Sequence, residues 1–213
     1  MKTDDLVTLL ASDAGPVERA GFARATGLTA FAGLAACAAS VLLMFGPRLD
    51  LAAALATPPV LAKFALGASV AGLALIAFQR SLRPGRAAAG VLALVLLPVV
   101  IVLAWALAVL TMQPMPAWPA LVLGRSWSVC LVLVPLYAVL PLAALFVLAR
   151  RGAPVRPRLT GLAAGVGAAG LATLAYALHC PEDAVPFLAT WYPLAMAVAG
   201  GIGALAGPRL LRW

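Results

Sequence analysis

Six long apolar stretches dominate this chain, and they constrain its fold more than any other feature. Leu and Ala fill each stretch, without the polar alternation typical of strands in a membrane barrel. Helices of this length cross a hydrocarbon core of about 30 Å, because each helical residue rises by about 1.5 Å. The stretches predict helices at about 27–46, 60–79, 87–110, 127–149, 159–178 and 187–206.

The composition excludes a soluble globular protein of this size. The 213 residues are 64% hydrophobic and only 10% charged, and the mean hydropathy is +1.07. A chain with so few polar residues cannot cover its own surface with groups that water solvates well. We therefore expect an all-α, polytopic integral membrane protein, a compact bundle of six transmembrane helices.

Basic residues are distributed unevenly between the two ends of this predicted bundle. Twelve of the fifteen Lys and Arg residues fall on one side, and Arg48, Lys63 and Arg125 remain for the other. Because basic residues in short loops stay in the cytoplasm, both termini are predicted to be cytoplasmic. The formal charge of +8 is then explained by topology and not by nucleic-acid binding. Lys63, near the outer end of the second helix, is expected to snorkel to the lipid headgroups.

Residues 1–24 form the only sizeable polar segment and contain four of the seven Asp and Glu residues. Thr3 or Asp4 can cap a short helix there, with an apolar stripe, before Gly15 and Pro16 interrupt it. We predict two parts, the 1–24 segment and a transmembrane domain over 25–213. The segment either binds a soluble partner or lies on the membrane surface. Its stripe consists of Leu6, Leu9 and Leu10.

Three connections lie at the predicted outer face. Residues 47–59 are expected to form an extended turn, and residues 111–126, rich in Pro, a partly ordered segment along the membrane interface. The third connection, 179–186, holds the only histidine and two of the three carboxylates outside the N-terminal segment. It is chemically the densest part of the chain.

Two of the three cysteines are predicted to lie at this outer face. Cys130 falls about one turn inside the fourth helix, and Cys180 follows the fifth. Three interpretations are open. The two cysteines form a structural disulfide, or they act as a reversible thiol or metal sensor, or Cys130 simply packs as a small buried apolar residue. Cys37 lies in the middle of the first helix and is expected to pack in the core.

His179, Glu182 and Asp183 add possible ligands next to Cys180. Thiolate, imidazole and carboxylate groups suit soft or borderline divalent metals, although the spacing matches no established zinc pattern. His179 is also placed to alter the thiolate population of Cys180. The predicted helices otherwise contain almost no ionisable residue at mid-depth, which disfavours an ion channel or proton-coupled transporter.

Small residues recur at four-residue spacing in the last two predicted helices. The pairs are Gly161 with Gly165 and Gly203 with Gly207. Such spacing lets neighbouring helices approach closely in a membrane, so we predict close packing here.

Three parts of the sequence together carry a resemblance to a known family. They are the leader Met1-Lys2-Thr3-Asp4-Asp5-Leu6 with Leu9 and Leu10, Cys130 in the fourth helix, and the closing segments His179-Cys180-Pro181-Glu182-Asp183, Trp191-Tyr192 and Gly207-Pro208-Arg209-Leu210. With these features the whole chain resembles the NrsF family of membrane anti-sigma factors.

The resemblance implies a multi-pass protein of the bacterial inner membrane that holds an extracytoplasmic-function sigma factor inactive. Release would follow heavy-metal stress such as chromate or cadmium, or oxidative stress, sensed by Cys130 and Cys180 with transient metal ligation. Such a protein is not an enzyme and has no resident cofactor, no substrate and no direct nucleic-acid partner. The sigma-binding residues would be Thr3, Asp4, Asp5, Leu6, Leu9 and Leu10.

The main alternative is a membrane thiol oxidoreductase that passes electrons from periplasmic thiols to quinone. It is disfavoured because the chain lacks a Cys-x-x-Cys motif and a second cysteine pair. A small-molecule or metal carrier is a further alternative, disfavoured by the nearly uncharged helices.

Overall fold

The computed structural model describes residues 3–12 and 21–211, and every regular element within these ranges is helical. The predicted all-α class is therefore confirmed for the described residues. The elements are α1 (Thr3–Ser12), α2 (Gly21–Phe45), α3 (Leu51–Ala54), α4 (Pro58–Ser81), α5 (Ala89–Ala93), α6 (Leu96–Thr111), a 3₁₀ turn (Met115–Ala117), α7 (Trp118–Leu123), α8 (Trp127–Ala149), α9 (Pro157–Tyr176) and α10 (Val185–Leu210).

Within the described residues, six helical stretches are long and apolar enough to cross a membrane. They are α2, α4, α5 with α6, the stretch ending in α8, α9 and α10, and they coincide with the six predicted runs. The first and last helices extend beyond the predicted boundaries. α2 begins at Gly21, inside the segment assigned to the leader, and α10 continues to Leu210, so that Arg209 lies in its last turn.

Helix α9 forms the centre of the bundle. It packs against α10, α4, α8 and α2, and 78% of the residues in its apolar 18-residue stretch are buried. Its many Ala and Gly residues make this possible, because small side chains allow neighbouring backbones to approach. By contrast, only 11% of the residues in the corresponding stretch of α5 and α6 are buried. These two helices therefore lie at the periphery of the bundle, where a bilayer would surround them.

The predicted close packing of the glycine pairs is confirmed. Gly161 of α9 lies directly against the backbone carbonyl of Gly203, and Gly207 lies against the carbonyl of Pro157. On another face of α9, a methyl group at Gly170 would come within 2.7 Å of the backbone nitrogen of Ala71 in α4. Helices α4, α9 and α10 are therefore in backbone contact, which leaves little freedom for them to slide independently.

The two arginine-rich connections, 82–88 and 150–156, lie at the same end of the bundle. The backbone N–H of Ala153 donates to the Leu82 carbonyl at 3.1 Å, and Arg150 Nε donates to the carbonyl of Leu210 at 3.2 Å. We call this the basic end. At the opposite end lie the connections 46–57, 112–126 and 177–184, which we call the cysteine end.

Two connections at the cysteine end are more ordered than the sequence suggested. The extended turn predicted for 47–59 is wrong at its centre, because Leu51–Ala54 forms α3. Its residues are strong helix formers, and Asp50 stands immediately before them. The segment 111–126 contains the 3₁₀ turn and α7, with Pro at an early position in each, where the missing N–H is not needed.

Candidate functional site

The connection between α9 and α10 holds the cysteine end together. It carries His179, Cys180, Glu182 and Asp183, and their hydrogen bonds reach three other parts of the protein: the end of α2, the start of α8, and the cations Arg48 and Lys63. We call residues 177–184 the hub loop. Its contacts determine what the predicted site residues can do.

Asp183 is the electrostatic centre of the hub loop. Its Oδ1 atom accepts hydrogen bonds from Lys63 Nζ at 2.6 Å and from Arg48 Nη1 at 2.9 Å. Its Oδ2 atom accepts a third from Arg48 Nη2 at 2.7 Å. Arg48 also pairs with Asp50, through Nε at 2.7 Å and Nη2 at 2.9 Å. Two cations and two carboxylates thus form one network of balanced charge.

The same two cations hold the backbone of Cys180. The carbonyl oxygen of Cys180 accepts hydrogen bonds from Lys63 Nζ at 3.1 Å and from Arg48 Nη1 at 3.3 Å. Lys63 belongs to α4, and Arg48 lies between α2 and α3. The position of Cys180 is therefore fixed by two separate elements. We refer to Lys63, Arg48, Asp183 and the Cys180 carbonyl as the clamp.

The prediction that Lys63 snorkels to the headgroups is wrong. Its side chain is completely buried and points at Asp183. A buried ammonium is strongly destabilising unless a carboxylate and further acceptors replace its hydration shell. Asp183 and the Cys180 carbonyl provide these groups, so Lys63 depends on the hub loop as much as the loop depends on Lys63.

Charge pairing shifts the pKa values of Asp183, Asp50 and Arg48 in the expected directions. Burial raises the pKa of Asp183, but the hydrogen bonds from Arg48 and Lys63 outweigh it, and the pKa lies below its ordinary value. The hydrogen bond from Arg48 likewise lowers the pKa of Asp50. Hydrogen bonds to Asp183 and then Asp50 raise the pKa of Arg48. All these groups are charged at neutral pH.

Glu182 connects the hub loop to the start of α8. Its Oε1 atom accepts a hydrogen bond from the backbone N–H of Arg125 at 2.8 Å and a longer one from Ser126 Oγ at 3.4 Å. These residues immediately precede the helix that carries Cys130. A carboxylate at a helix N-terminus also interacts favourably with the helix dipole. Glu182 thus joins the two cysteine-bearing elements.

His179 contacts the end of α2. Its Nδ1 atom lies 3.1 Å from the carbonyl oxygen of Gly46, and its ring lies 5.0 Å from that of Phe45, measured between centroids. His179, Glu182 and Asp183 therefore each engage a different partner. Within residues 3–12 and 21–211, no three His, Cys, Asp or Glu residues form a group that could hold a metal ion.

Both cysteines of the predicted pair lie at the cysteine end. Cys130 and Cys180 are free thiols with no exposed surface. They belong to one core cluster, and Glu182 links the loop that carries Cys180 to the start of the helix that carries Cys130. Tyr192 is also fully buried and belongs to the same cluster. Two free thiols and one tyrosine are therefore part of one core.

Cys37 lies elsewhere. It is 1% exposed, belongs to a separate small cluster, and its Sγ donates to the Tyr137 carbonyl at 3.2 Å. The prediction that it packs in the core is confirmed.

Comparison with known proteins identifies the family. A family model described as "NrsF: Negative regulator of sigma F" matches residues 10–213. The chain belongs to the NrsF family. It is 37% identical over 216 residues to the "Probable anti-sigma-F factor NrsF" of Azospira oryzae, and the match covers all of both chains. It is also 37% identical over 218 residues to the "Anti-sigma-F factor NrsF" of Caulobacter vibrioides, again over both full lengths. No solved structure matches.

For a member of the NrsF family, the N-terminal segment is the second region of interest. Helix α1 exposes every residue, and Asp4 and Asp5 lie in its first turn. Leu6, Leu9 and Leu10 are 42%, 61% and 65% exposed. Helical spacing places these leucines on one side, as predicted. Thr3 is the first residue of α1, whereas Gly15 and Pro16 lie outside the described residues.

The sequence reasoning missed Arg48 and Lys63 as site residues. A signal for them was present, since they are two of only three basic residues on the side where Asp50, Glu182 and Asp183 also fall. Opposite charges isolated at one end of an apolar bundle are expected to pair, because burial without a partner is costly.

Proposed function

We propose that this NrsF-family protein is a membrane-bound anti-sigma factor that holds an extracytoplasmic-function sigma factor inactive at the cytoplasmic face of the bacterial inner membrane. The observation that carries this proposal is the full-length similarity to two proteins named anti-sigma-F factors. Six helices suited to a bilayer and the asymmetry of basic residues support the membrane location and the orientation. The basic end then faces the cytoplasm.

The exposed surface of α1 supports its role in binding the sigma factor. A helix with leucines along one side and carboxylates in its first turn can lay its apolar side into a groove, while the acidic groups contact a basic rim. The proposed contact residues are Thr3, Asp4, Asp5, Leu6, Leu9 and Leu10. The arginine-rich connections at the basic end extend this surface.

Cys130 and Cys180 are proposed to sense the stress signal. Oxidation would join the two sulfur atoms in a disulfide, with two electrons passing to a thiol oxidant such as chromate and two protons leaving the thiols. A soft ion such as cadmium would instead displace both protons and bind the two thiolates. The presence of two free thiols in one core cluster supports a joint role for Cys130 and Cys180.

The helices that carry the thiols can transmit a change to the basic end. Cys130 lies in the first turn of α8, and the Cys180 N–H donates to the Tyr176 carbonyl at the end of α9. The opposite ends of these two helices are joined by the connection 150–156. A shift of the two sulfurs toward each other would therefore act on both helices that flank this arginine-rich connection.

The direct test replaces each cysteine by serine and follows transcription from a sigma-dependent promoter under cadmium or dichromate. We expect Cys130→Ser and Cys180→Ser to abolish induction of this promoter by either stress. Cys37→Ser, the matched control outside the thiol pair, should leave induction of the promoter normal. Normal induction in both Cys130→Ser and Cys180→Ser would contradict the sensing role. Loss of repression under all conditions would show that the thiols maintain the bound state.

A further inference from the structure

Access to the thiol pair is controlled by the surrounding protein. Cys130 and Cys180 are both 0% exposed, so that neither an ion nor an oxidant in solution reaches them in this conformation. The thiols belong to a core that includes Phe187 and Leu188 of α10. The hub loop carries Cys180 and is short, so it is the segment that can move without unpacking a whole helix.

The clamp is the main polar restraint on the hub loop. Lys63 and Arg48 each bond to both the Asp183 carboxylate and the Cys180 carbonyl. Lys63 is immobilised by its burial in α4, whose glycine-mediated contact with α9 fixes the helix. Opening the hub loop would therefore separate Asp183 from Lys63 and leave an ammonium group in the core without its carboxylate.

We propose that Lys63, Arg48 and Asp183 are positioning residues of the thiol site, and that the clamp holds the hub loop in the conformation that buries the Cys180 thiol. This inference rests on the proposed function for its biological meaning, since it assigns the residues that set how readily a signal reaches the sensor. None of the three side chains is redox-active, and both oxygens of the Asp183 carboxylate already accept hydrogen bonds from Lys63 and Arg48. Their role is to determine how often the loop opens.

Asp50 provides a matched control. It pairs with the same Arg48 guanidinium, but its side chain is 63% exposed, and its hydrogen bonds to Arg48 hold no part of the hub loop. Removing its charge disturbs the network without releasing Asp183 from Lys63. Cys37 is an internal control of a different kind, because it is buried in another cluster and reports general unfolding.

The test measures N-ethylmaleimide labelling of the full chain in native membranes, with mass spectrometry resolving each cysteine. In Asp183→Asn and Lys63→Met we expect Cys180 to be labelled about tenfold faster than in the wild type, since local opening limits the reaction of a buried thiol. Cys37 labelling should stay unchanged in both variants. Asp50→Asn should behave as the wild type does.

Two results would overturn the proposal. One is an unchanged Cys180 labelling rate in both variants, and the other is acceleration that Cys37 shares equally, which indicates general loss of structure. If neither variant accumulates in membranes, Arg48→Gln replaces them, because it removes one cation of the clamp at a connection between helices. It should give a smaller, still selective acceleration at Cys180, and no acceleration would again overturn the proposal.

The labelling experiment requires no sigma factor, so it separates this inference from the proposed function. Slow labelling in every variant would refute the clamp and leave Cys130 and Cys180 as sensors. Selective acceleration together with normal stress induction in the Cys→Ser variants would support the clamp and refute the sensing role.

Discussion

At the scale of the residue, Asp183 balances two cations whose environments differ. Both side chains are buried, but Arg48 has the exposed Asp50 as a second carboxylate partner, whereas Lys63 pairs with Asp183 alone among the described residues. The Asp183 side chain itself is 32% exposed. Lys63 and Asp183 are therefore not equivalent, and removing the charge of Lys63 should have a different consequence from removing that of Asp183.

Asp183→Asn should destabilise the protein more than Lys63→Met. The first substitution leaves a buried ammonium without a carboxylate, at a cost of about 3–5 kcal/mol, while the second leaves a part-exposed carboxylate still paired with Arg48. The melting temperature in detergent is the measurement. A larger decrease for Lys63→Met than for Asp183→Asn would contradict this account of the pair.

The lowered pKa of Asp183 predicts a specific pH dependence. In the folded protein this pKa lies below its ordinary value of 3.8, so the stabilisation is complete above that value and is lost as the pH falls through the lowered pKa. The difference in melting temperature between wild type and Asp183→Asn should be constant from neutral pH to about pH 5 and shrink below about pH 4. A difference that grows on acidification would contradict the ion pair.

At the scale of the element, glycine contacts make α9 and α10 a closely packed pair. The backbone at Gly161 lies against Gly203, and any side chain there meets a carbonyl oxygen of the other helix. Gly201 of α10 has open space where a side chain would be added. Two glycines in neighbouring spans thus differ in their tolerance of a single methyl group.

Gly161→Ala should lower the melting temperature substantially, because the added methyl group forces α9 and α10 apart, with a cost of about 1–3 kcal/mol. Gly201→Ala is the matched control and should be neutral or slightly stabilising, since Ala is the better helix former. Equal melting temperatures for the two variants would show that the helices can separate freely.

Helix α1 is the element expected to bind the sigma factor. Replacing Leu6, Leu9 and Leu10 together by Ala should reduce sigma capture by at least about tenfold, because the apolar contact surface is lost. Thr8→Ala, on the opposite side of the helix, should bind as the wild type does. Since all these residues are exposed, the melting temperature should not change, and unchanged capture by the triple variant would move the binding surface to the arginine-rich connections.

At the scale of the whole molecule, the bundle could be predicted because each span is specified locally. A run of about twenty apolar residues is sufficient to define a transmembrane helix, and the glycine pairs indicate which helices pack closely. The clamp could not be predicted in the same way. Lys63 and Asp183 are 120 positions apart in the sequence, and their pairing depends on the order of α4, α9 and α10 in space.

The thiol pair was partly predictable. Charge asymmetry placed Cys130 and Cys180 at one end of the bundle, and the structure places both in one core cluster. The roles of Glu182 and His179 were harder to infer, because a polar residue near a cysteine is more readily interpreted as a metal ligand than as a group that hydrogen-bonds to a neighbouring segment of backbone. Glu182 instead bonds to the backbone before α8, which joins the two cysteine-bearing elements mechanically.

We propose that modification of the thiol pair at the cysteine end releases a sigma factor at the basic end. The decisive experiment isolates the C-terminally tagged full chain from membranes before and after cadmium or dichromate exposure and identifies the bound proteins. The account predicts a sigma factor bound before exposure and lost after it, with retention in Cys130→Ser and Cys180→Ser. Absence of a sigma factor from every sample, or its equal loss from the cysteine variants, would contradict it.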